Sequence, residues 1–399
     1  MIKHLMAGTM LTAAAFTPVA AQDAPAAAPE ATAPAAPALA LALAGSLTAN
    51  PAPTNFDLGD FGKVYVTGVA SGVARFQSNP VGSDRGTYGD VTNAQVFIQK
   101  VDGVFQFFLQ AGVYSIPVLG TPYVRATRTT DATFGPLPQA FIKIAPSANF
   151  SVQAGKLPTL IGAEYTFSFQ NLNVDRGLLW NQEQAVSKGV QVNYTAGPLA
   201  FSVALTDNFY SSKYSAISGL VTYTIDPSNV LAFAASGNTK KTSKSTASTP
   251  GLLNNEQIYN LIYTHTSGPW LFQPYLQYSR VPNLPVFGST SASTYGGAVL
   301  ARYTFTPNFS LPVRGEYIST SGKAGGSAAN LLYGTGSDAF SFTVTPTYQY
   351  NRFFVRGEAS YVKASGIAKG NLANPGTGFG RIGNDTSQVR GLIEVGVLF

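Results

Sequence analysis

The sequence contains no cysteine and few charged residues. Without cysteine in its 399 residues, disulfide bonds and thiolate metal sites are excluded. Charged residues make up 11% of the chain, about half of the share that is usual in soluble proteins. Beyond the N-terminus no run reaches the roughly 18 consecutive apolar residues that a transmembrane helix needs. Low charge without a helical span favours strands that meet lipid on one face only.

Histidine is also scarce, and this argues against catalysis. Only His265 follows the N-terminal targeting segment. It continues the alternation of Leu261 and Tyr263, a register that we expect to face lipid, where a general base would be poorly placed. No Gly-rich phosphate loop is present. We therefore expect no enzymatic activity, no catalytic residue, no cofactor and no metal site.

The residues that are abundant favour strands and turns. The chain has 40 glycines, 25 prolines, 26 phenylalanines and 20 tyrosines, a composition that suits strands and turns better than helices. The formal net charge of +6 is mild for this length. Nucleic-acid binding needs a clustered basic face, so we expect no nucleic-acid partner.

The N-terminal region is expected to direct export. Residues 1–21 have the pattern of a signal peptide, with Lys3, a short apolar stretch and a small-residue cleavage site. Residues 22–58 are rich in alanine and proline, and repeated proline interrupts both helix and sheet. This segment is predicted to be a flexible or partly extended periplasmic tether, followed by a β-barrel over residues 59–399.

Short turns and long loops alternate along the predicted barrel. Between them lie segments of about ten residues with alternating apolar and polar side chains, as a strand between lipid and a wet lumen requires. Eight long loops are expected, at residues 78–91, 117–134, 158–187, 208–215, 237–255, 280–293, 320–337 and 364–387. The pattern predicts an all-β fold, a transmembrane antiparallel β-barrel of about 16 strands with short periplasmic turns and long extracellular loops.

The predicted fold implies a bacterial outer-membrane location and a set of partners. Phe399 ends an alternating strand, which resembles the recognition signal of the barrel assembly machinery. Outer-membrane lipid would contact the strands, and the lysine-rich stretch Thr239–Lys244 could contact the phosphates of lipopolysaccharide. A homotrimer is possible by analogy with other barrels of this strand number.

Residues 158–187 form the longest predicted loop, and this loop is rich in aromatic side chains. A fully solvated loop would not carry Tyr165, Phe167, Phe169 and Trp180 together, so we expect it to fold against other protein. As a candidate constriction loop in the lumen it would present the charged residues Glu164, Asp175, Arg176 and Glu183. A compact cap outside the barrel is the alternative.

Charged residues recur at every second position of the last strands. Residues i and i+2 share one face of a strand, and a charge facing lipid costs about 2–4 kcal/mol at the bilayer midplane. The candidate pore-lining residues are therefore Arg302, Arg314, Glu316, Arg356, Glu358, Arg390 and Glu394. Arg75 of the first strand would lie near this wall. These residues could create a transverse field for polar solutes, or pair to hold neighbouring strands together.

The segments Gly155–Pro158, Gly162–Tyr165, Asn171–Asn181 and Lys188–Tyr194 resemble the β-barrel porin-2 (OmpL-like) family. The resemblance implies an outer-membrane porin, and it supplies no solute-binding residue. We therefore expect passive diffusion of small polar solutes and ions. The alternatives are a plugged structural or surface-interaction barrel and a pore specific for one sugar or anion.

Overall fold

One antiparallel sheet contains the strands of the computed structural model, which describes residues 45–207, 211–243, 253–327 and 332–399. The strands are β1 Thr54–Asp57, β2 Lys63–Gln77, β3 Thr87–Lys100, β4 Phe105–Tyr114, β5 Gln139–Ser147, β6 Phe150–Pro158, β7 Val186–Ala196, β8 Leu199–Thr206, β9 Ala216–Asp226, β10 Asn229–Asn238, β11 Gln257–Ser267, β12 Trp270–Val281, β13 Ala292–Thr306, β14 Phe309–Thr320, β15 Asp338–Val344, β16 Thr347–Tyr350, β17 Phe353–Ser365 and β18 Ser387–Leu398. Helix α1 covers Ala126–Ala132, and short 3-10 helices cover Gly59–Phe61, Ser168–Gln170, Leu179–Gln182, Leu253–Asn255 and Pro285–Phe287.

The sheet closes into a barrel of 16 strands, as predicted. Strands β15 and β16 both pair with β14 and β17, so they are two parts of one barrel strand. The interruption lies at Pro346, which lacks the N–H that a central ladder needs. Strand β1 is an additional short segment paired with the beginning of β2. The last strand, β18, pairs with β2 and completes the cylinder.

The turns and loops lie where the sequence pattern places them. Successive barrel strands are joined alternately by turns of a few residues and by long loops, and each predicted loop differs from the observed one by at most five residues at either end. Strands β2 and β18 pair with each other, so neither has an open edge where they meet. No helix among the described residues is long and apolar enough to span a membrane.

The two faces of the strands carry opposite chemistry. Large apolar side chains such as Leu261 and Ile393 point outward and are exposed, whereas polar ones such as Gln95 and Asn260 point inward and are buried. His265 belongs to the outward register, as predicted, and its Nδ1 lies 2.8 Å from the Asn229 Oδ1. The outer surface is thus apolar, as a lipid-facing barrel requires.

The end of the predicted tether is attached to the barrel. Leu47 is 2% exposed, and the Gln349 side chain both accepts a hydrogen bond from the Thr48 N–H (2.7 Å) and donates one to its carbonyl (2.8 Å). Residues 45–57 therefore run from the lumen into β1. The Ala/Pro-rich composition did not indicate these contacts with the barrel. Residues 1–44, with the expected signal peptide and most of the tether, lie outside the described part.

Candidate functional site

The segment between β6 and β7, residues 159–185, lies inside the barrel and is called the lumen loop below. Phe167, Val174 and Leu178 in this loop have no solvent exposure. The Gln184 Nε2 donates to the Ser236 hydroxyl on β10 (2.7 Å). Other residues of the loop contact β2, β14, β17 and β18, so the loop spans the lumen from one wall to the other. The loop therefore lies within the barrel and does not form a cap outside it.

Asp175 of the lumen loop contacts both β2 and β18, the two strands that close the barrel. Its carboxylate forms a salt bridge with Arg75 on β2, and it lies 3.5 Å from the Arg390 Nη1 on β18. The backbone N–H groups of Val174 and Asp175 both donate to the Glu358 carboxylate on β17, at 2.6 and 3.0 Å. Three neighbouring strands therefore hold one turn of the loop through charge-assisted hydrogen bonds.

Arg314 on β14 forms a second attachment. Its Nη1 lies 2.6 Å from the Glu164 Oε1, and its Nε lies 3.1 Å from the Glu316 Oε2. The Glu164 carboxylate also accepts the Gly177 N–H (2.8 Å), and the Glu316 carboxylate accepts the Leu178 N–H (3.1 Å). One guanidinium and two carboxylates thus join the wall to both arms of the loop.

Arg356 on β17 forms the third attachment. It pairs with Glu394 on the neighbouring strand β18, with the Arg356 Nε at 2.9 Å from the Glu394 Oε2. Its Nη groups donate to the backbone carbonyls of Asn171 and Ser168, each at 3.1 Å. The same arginine therefore takes part in a pair between strands and in a contact to the loop. We call the inward Arg75, Arg314, Arg356 and Arg390 the basic wall.

Three of the predicted site residues lie apart from these pairs. The Arg302 Nη1 donates to the Gly45 carbonyl at 2.9 Å, and the Arg176 guanidinium is buried over the Trp180 ring, 5.6 Å from its centroid. Neither arginine forms a salt bridge within the described residues. Glu183 accepts a hydrogen bond from the Tyr275 hydroxyl on β12 (2.7 Å), two strands along the barrel from β14.

Apolar side chains also point into the lumen, which sequence reasoning missed. On β8–β11 they lie among buried polar side chains such as Ser202, Ser236 and Asn260. Leu160, Ile161, Leu178 and Leu179 of the loop belong to one buried cluster with inward side chains of β8–β11. These inward side chains are called the apolar wall and are Ala204, Leu220, Ala232, Ala234, Ile258 and Ile262. The signal was present in β10, where residues 230–235 are apolar on both faces and do not alternate.

A group of aromatic rings fills the space near β3–β5. Inward Phe97 lies 5.8 Å from Phe169 of the loop, and Phe108 stacks on Phe141 at 5.5 Å. The alternation of β4 is carried by its outward apolar residues, so the sequence pattern did not indicate that Phe108 lies on the inner face. The lumen loop is therefore surrounded by ionic, apolar and aromatic contacts, and its aromatic content reflects this burial.

The closed 16-stranded barrel, its apolar outer face and the loop folded into its lumen define an outer-membrane channel of the porin type. The profile of the "Putative beta-barrel porin-2, OmpL-like" family matches residues 63–399, and the chain belongs to this family. This assignment implies the bacterial outer membrane. The family and fold are typically those of non-enzymatic channels. No curated protein matches the sequence.

Solved porin structures share the fold at low sequence identity. OmpT of Vibrio cholerae is 13% identical with a TM-score of 0.56, over 86% of this chain and 98% of that one. The anion-selective porin of Comamonas acidovorans is 12% identical with a TM-score of 0.56, over 84% and 99%. The outer-membrane channel DcaP of Acinetobacter baumannii is 10% identical with a TM-score of 0.56, over 86% and 99%. Identities this low support the fold alone.

Proposed function

We propose that this protein is a porin through which small polar solutes and ions diffuse passively. The observation that carries the proposal is the arrangement of the lumen. Arginines of the basic wall face the carboxylates of Glu164 and Asp175 on a loop that crosses a closed 16-stranded barrel. A closed barrel of 16 strands is wide enough to leave an aqueous channel, and a loop fixed inside it by these pairs would narrow that channel to the size of small polar solutes.

The net field in the lumen depends mainly on charges without an ionic partner. A salt-bridged arginine and carboxylate largely cancel at a distance, whereas Arg176 and Arg302 have no salt bridge within the described part of the chain. Of these two, Arg176 is fully buried and Arg302 is partly exposed. Arg302 is half-buried and faces the lumen near the end at which the N-terminal segment enters. We therefore propose Arg302 as the residue with the strongest single influence on ion selectivity.

The plugged barrel is the second candidate, and one observation favours it. Both the lumen loop and residues 45–50 pack within the barrel, and the charged groups of the loop are buried rather than exposed to a water-filled path. Such a barrel would act through its extracellular loops. The two candidates differ in one property, the passage of ions through the folded protein.

Single-channel conductance separates the two candidates. Refolded protein without residues 1–21 would be inserted in a planar bilayer, with a salt gradient for the reversal potential and uncharged sugars of increasing size as blockers. Discrete, stable openings are the expected result, and heat-denatured protein is the control. Folded, heat-modifiable protein that inserts and stays silent would refute the porin and favour the plugged barrel.

A further inference from the structure

The chain enters the barrel before it forms its first strand. Residues 45–50, which we call the strap, carry no charge and precede β1. Their partners are Arg302 on β13 and Gln349 on β16, two side chains on the inner face of the barrel. Both partners lie within four residues of a strand end that leads into a short turn. The strap therefore lies in the half of the lumen next to the short turns, which the predicted topology places on the periplasmic side.

Hydrogen bonds and a buried side chain hold the strap. The Arg302 Nη1 donates to the Gly45 carbonyl at 2.9 Å. The Gln349 side chain pairs with both backbone groups of Thr48, at 2.7 and 2.8 Å, much as a neighbouring strand would. Leu47 belongs to one buried cluster with the inward side chains of β17 and β18 near the same end. These contacts give partners to backbone groups outside the sheet, so the strap has a defined position.

The strap and the lumen loop enter the lumen from opposite ends. The lumen loop joins β6 and β7 at the end that carries the long loops, whereas the strap lies near the short turns. The two segments meet at Gly45, where a Cβ atom would collide with the Asn171 carbonyl oxygen. The same carbonyl accepts a hydrogen bond from the Arg356 Nη1 (3.1 Å), which fixes this part of the lumen loop. The strap thus forms a second layer in the lumen, on the short-turn side of the loop.

The strap takes a direct route across one side of the lumen. Gly45 contacts β13, while Thr54 pairs with Val66 of β2, five barrel strands further round. Five strand spacings occupy at least about 24 Å of the wall, and the chain from residue 45 to residue 54 reaches at most about 32 Å. The Asn50 side chain bonds both backbone groups of Ala52, each at 3.1 Å, and so fixes the bend at which the chain leaves the lumen. The segment is too short for a detour along the wall.

Water reaches one face of the strap. Thr48 is exposed, whereas Leu47 and Asn50 are buried. We infer that the strap narrows the periplasmic mouth of the lumen and sets the largest solute that enters from this side. This inference rests on the proposed porin function. A strap without charge obstructs solutes by their size, so its effect is distinct from that of Arg302 on ion selectivity.

Release of the strap tests the inference in a planar bilayer. Gln349→Ala removes the side chain that binds Thr48, and Leu47→Asp, a second and independent variant, places a carboxylate where an apolar side chain is buried. The matched control is Gln106→Ala near a short turn of β4, where the Gln106 Nε2 donates to the Gly103 carbonyl. Refolded mature proteins would be compared by single-channel conductance and by block with uncharged polymers of graded size, added to each side in turn. Heat-modifiable electrophoretic mobility shows that each variant is folded.

Both released variants are expected to conduct about twofold more than wild type and to admit larger polymers from one side only, while the reversal potential keeps its sign. The control variant should match wild type, and conduction by the released variants alone would also support the inference. If wild type conducts and the released variants keep its conductance and polymer limit, the inference is overturned and the porin stands. If neither wild type nor a released variant conducts, the porin fails and the inference fails with it.

Chemical labelling supplies a readout that does not depend on conduction. Because the natural sequence has no cysteine, a single introduced thiol reports its own surroundings. In the folded protein Leu47→Cys should react with a membrane-impermeant maleimide at least tenfold more slowly than Thr48→Cys. Adding Gln349→Ala should make the thiol at position 47 reactive. Equal reactivity of the two single-cysteine variants in folded protein would show that the strap is not packed within the barrel, and would overturn the inference.

Discussion

The basic wall and the apolar wall hold the lumen loop through different kinds of contact. On the basic side, Arg314 pairs with Glu164 and Glu316, all three being buried. Leu179 of the loop belongs to one buried apolar cluster with Ile258 and Ile262 of the apolar wall. Burial of an ion pair carries a desolvation cost that often offsets its attraction, whereas each apolar side chain gains about 1.5–3 kcal/mol when it leaves water.

The two walls therefore contribute different properties. Apolar packing supplies net stabilisation but tolerates many orientations, since it is not directional. Charge-assisted hydrogen bonds, such as those from the N–H groups of Val174 and Asp175 to the Glu358 carboxylate, require one orientation. We infer that the apolar wall keeps the loop inside and that the basic wall fixes its position.

The largest expected effect follows from removing the cation of the second attachment. Arg314→Met leaves Glu164 and Glu316 buried without their nearest positive charge, so the free energy of unfolding should fall by about 3–5 kcal/mol. Urea unfolding in micelles, followed by tryptophan fluorescence, measures this. The control is Arg314→Met/Glu164→Gln/Glu316→Gln, which should recover most of the loss. A fully stable single variant would show that the basic wall does not hold the loop.

A smaller loss of stability is expected when an apolar contact of the loop is removed. Leu179→Ala should lower the free energy of unfolding by about 2–3 kcal/mol, the lower part of the range for buried leucine, because a loop relaxes more than a core. The reversal potential should stay unchanged, since no charge is moved. Leu372→Ala, at a leucine that is 73% exposed, is the matched control. A shift in ion selectivity with Leu179→Ala would mean that apolar packing also positions the charges.

The contact between Glu183 and Tyr275 joins the loop to β12 through a hydrogen bond. Tyr275→Phe removes the hydroxyl that donates to the buried carboxylate, and should cost about 1–2 kcal/mol in unfolding free energy. Tyr259→Phe on the neighbouring strand, where the ring faces outward and is 40% exposed, is the control. Equal stability of the two variants would show that the hydrogen bond to Glu183 does not stabilise the loop.

The smallest effect on stability is expected at Arg302. Arg302→Gln should change the free energy of unfolding by less than about 0.5 kcal/mol. It should nevertheless move the reversal potential towards cation selectivity, because a lumen charge without an ionic partner is lost, and high salt should reduce the shift. Arg85→Gln, in the exposed first extracellular loop, is the control. An unchanged reversal potential would refute the proposed role of Arg302.

The barrel could be predicted from the sequence because its signals are local. Alternation within each strand indicates which side chains point inward, and Arg314, Arg356 and Arg390 are buried inside the barrel. The path of the lumen loop could not be predicted, because pairs such as Arg75 with Asp175 depend on contacts between distant segments. Glu183 likewise meets Tyr275 of β12, which lies 92 residues away in the sequence.

The apolar wall was missed for a related reason. A strand that faces lipid on one side and a packed loop on the other is apolar on both faces, so β10 shows no alternation to interpret. Its inner face can be recognised only once the loop is known to lie against it. Local periodicity therefore predicts the strands of the barrel but not the segments that fold inside it.

The seam between the first and last strands has a consequence for biogenesis. Gly68 and Phe399 exchange two backbone hydrogen bonds, at 2.8 and 3.0 Å, which extend the pairing of β18 with β2. Before β18 has paired, β2 and β17 are open edges that can pair with other chains. A chain that stops before β18 is therefore expected to aggregate as an open sheet.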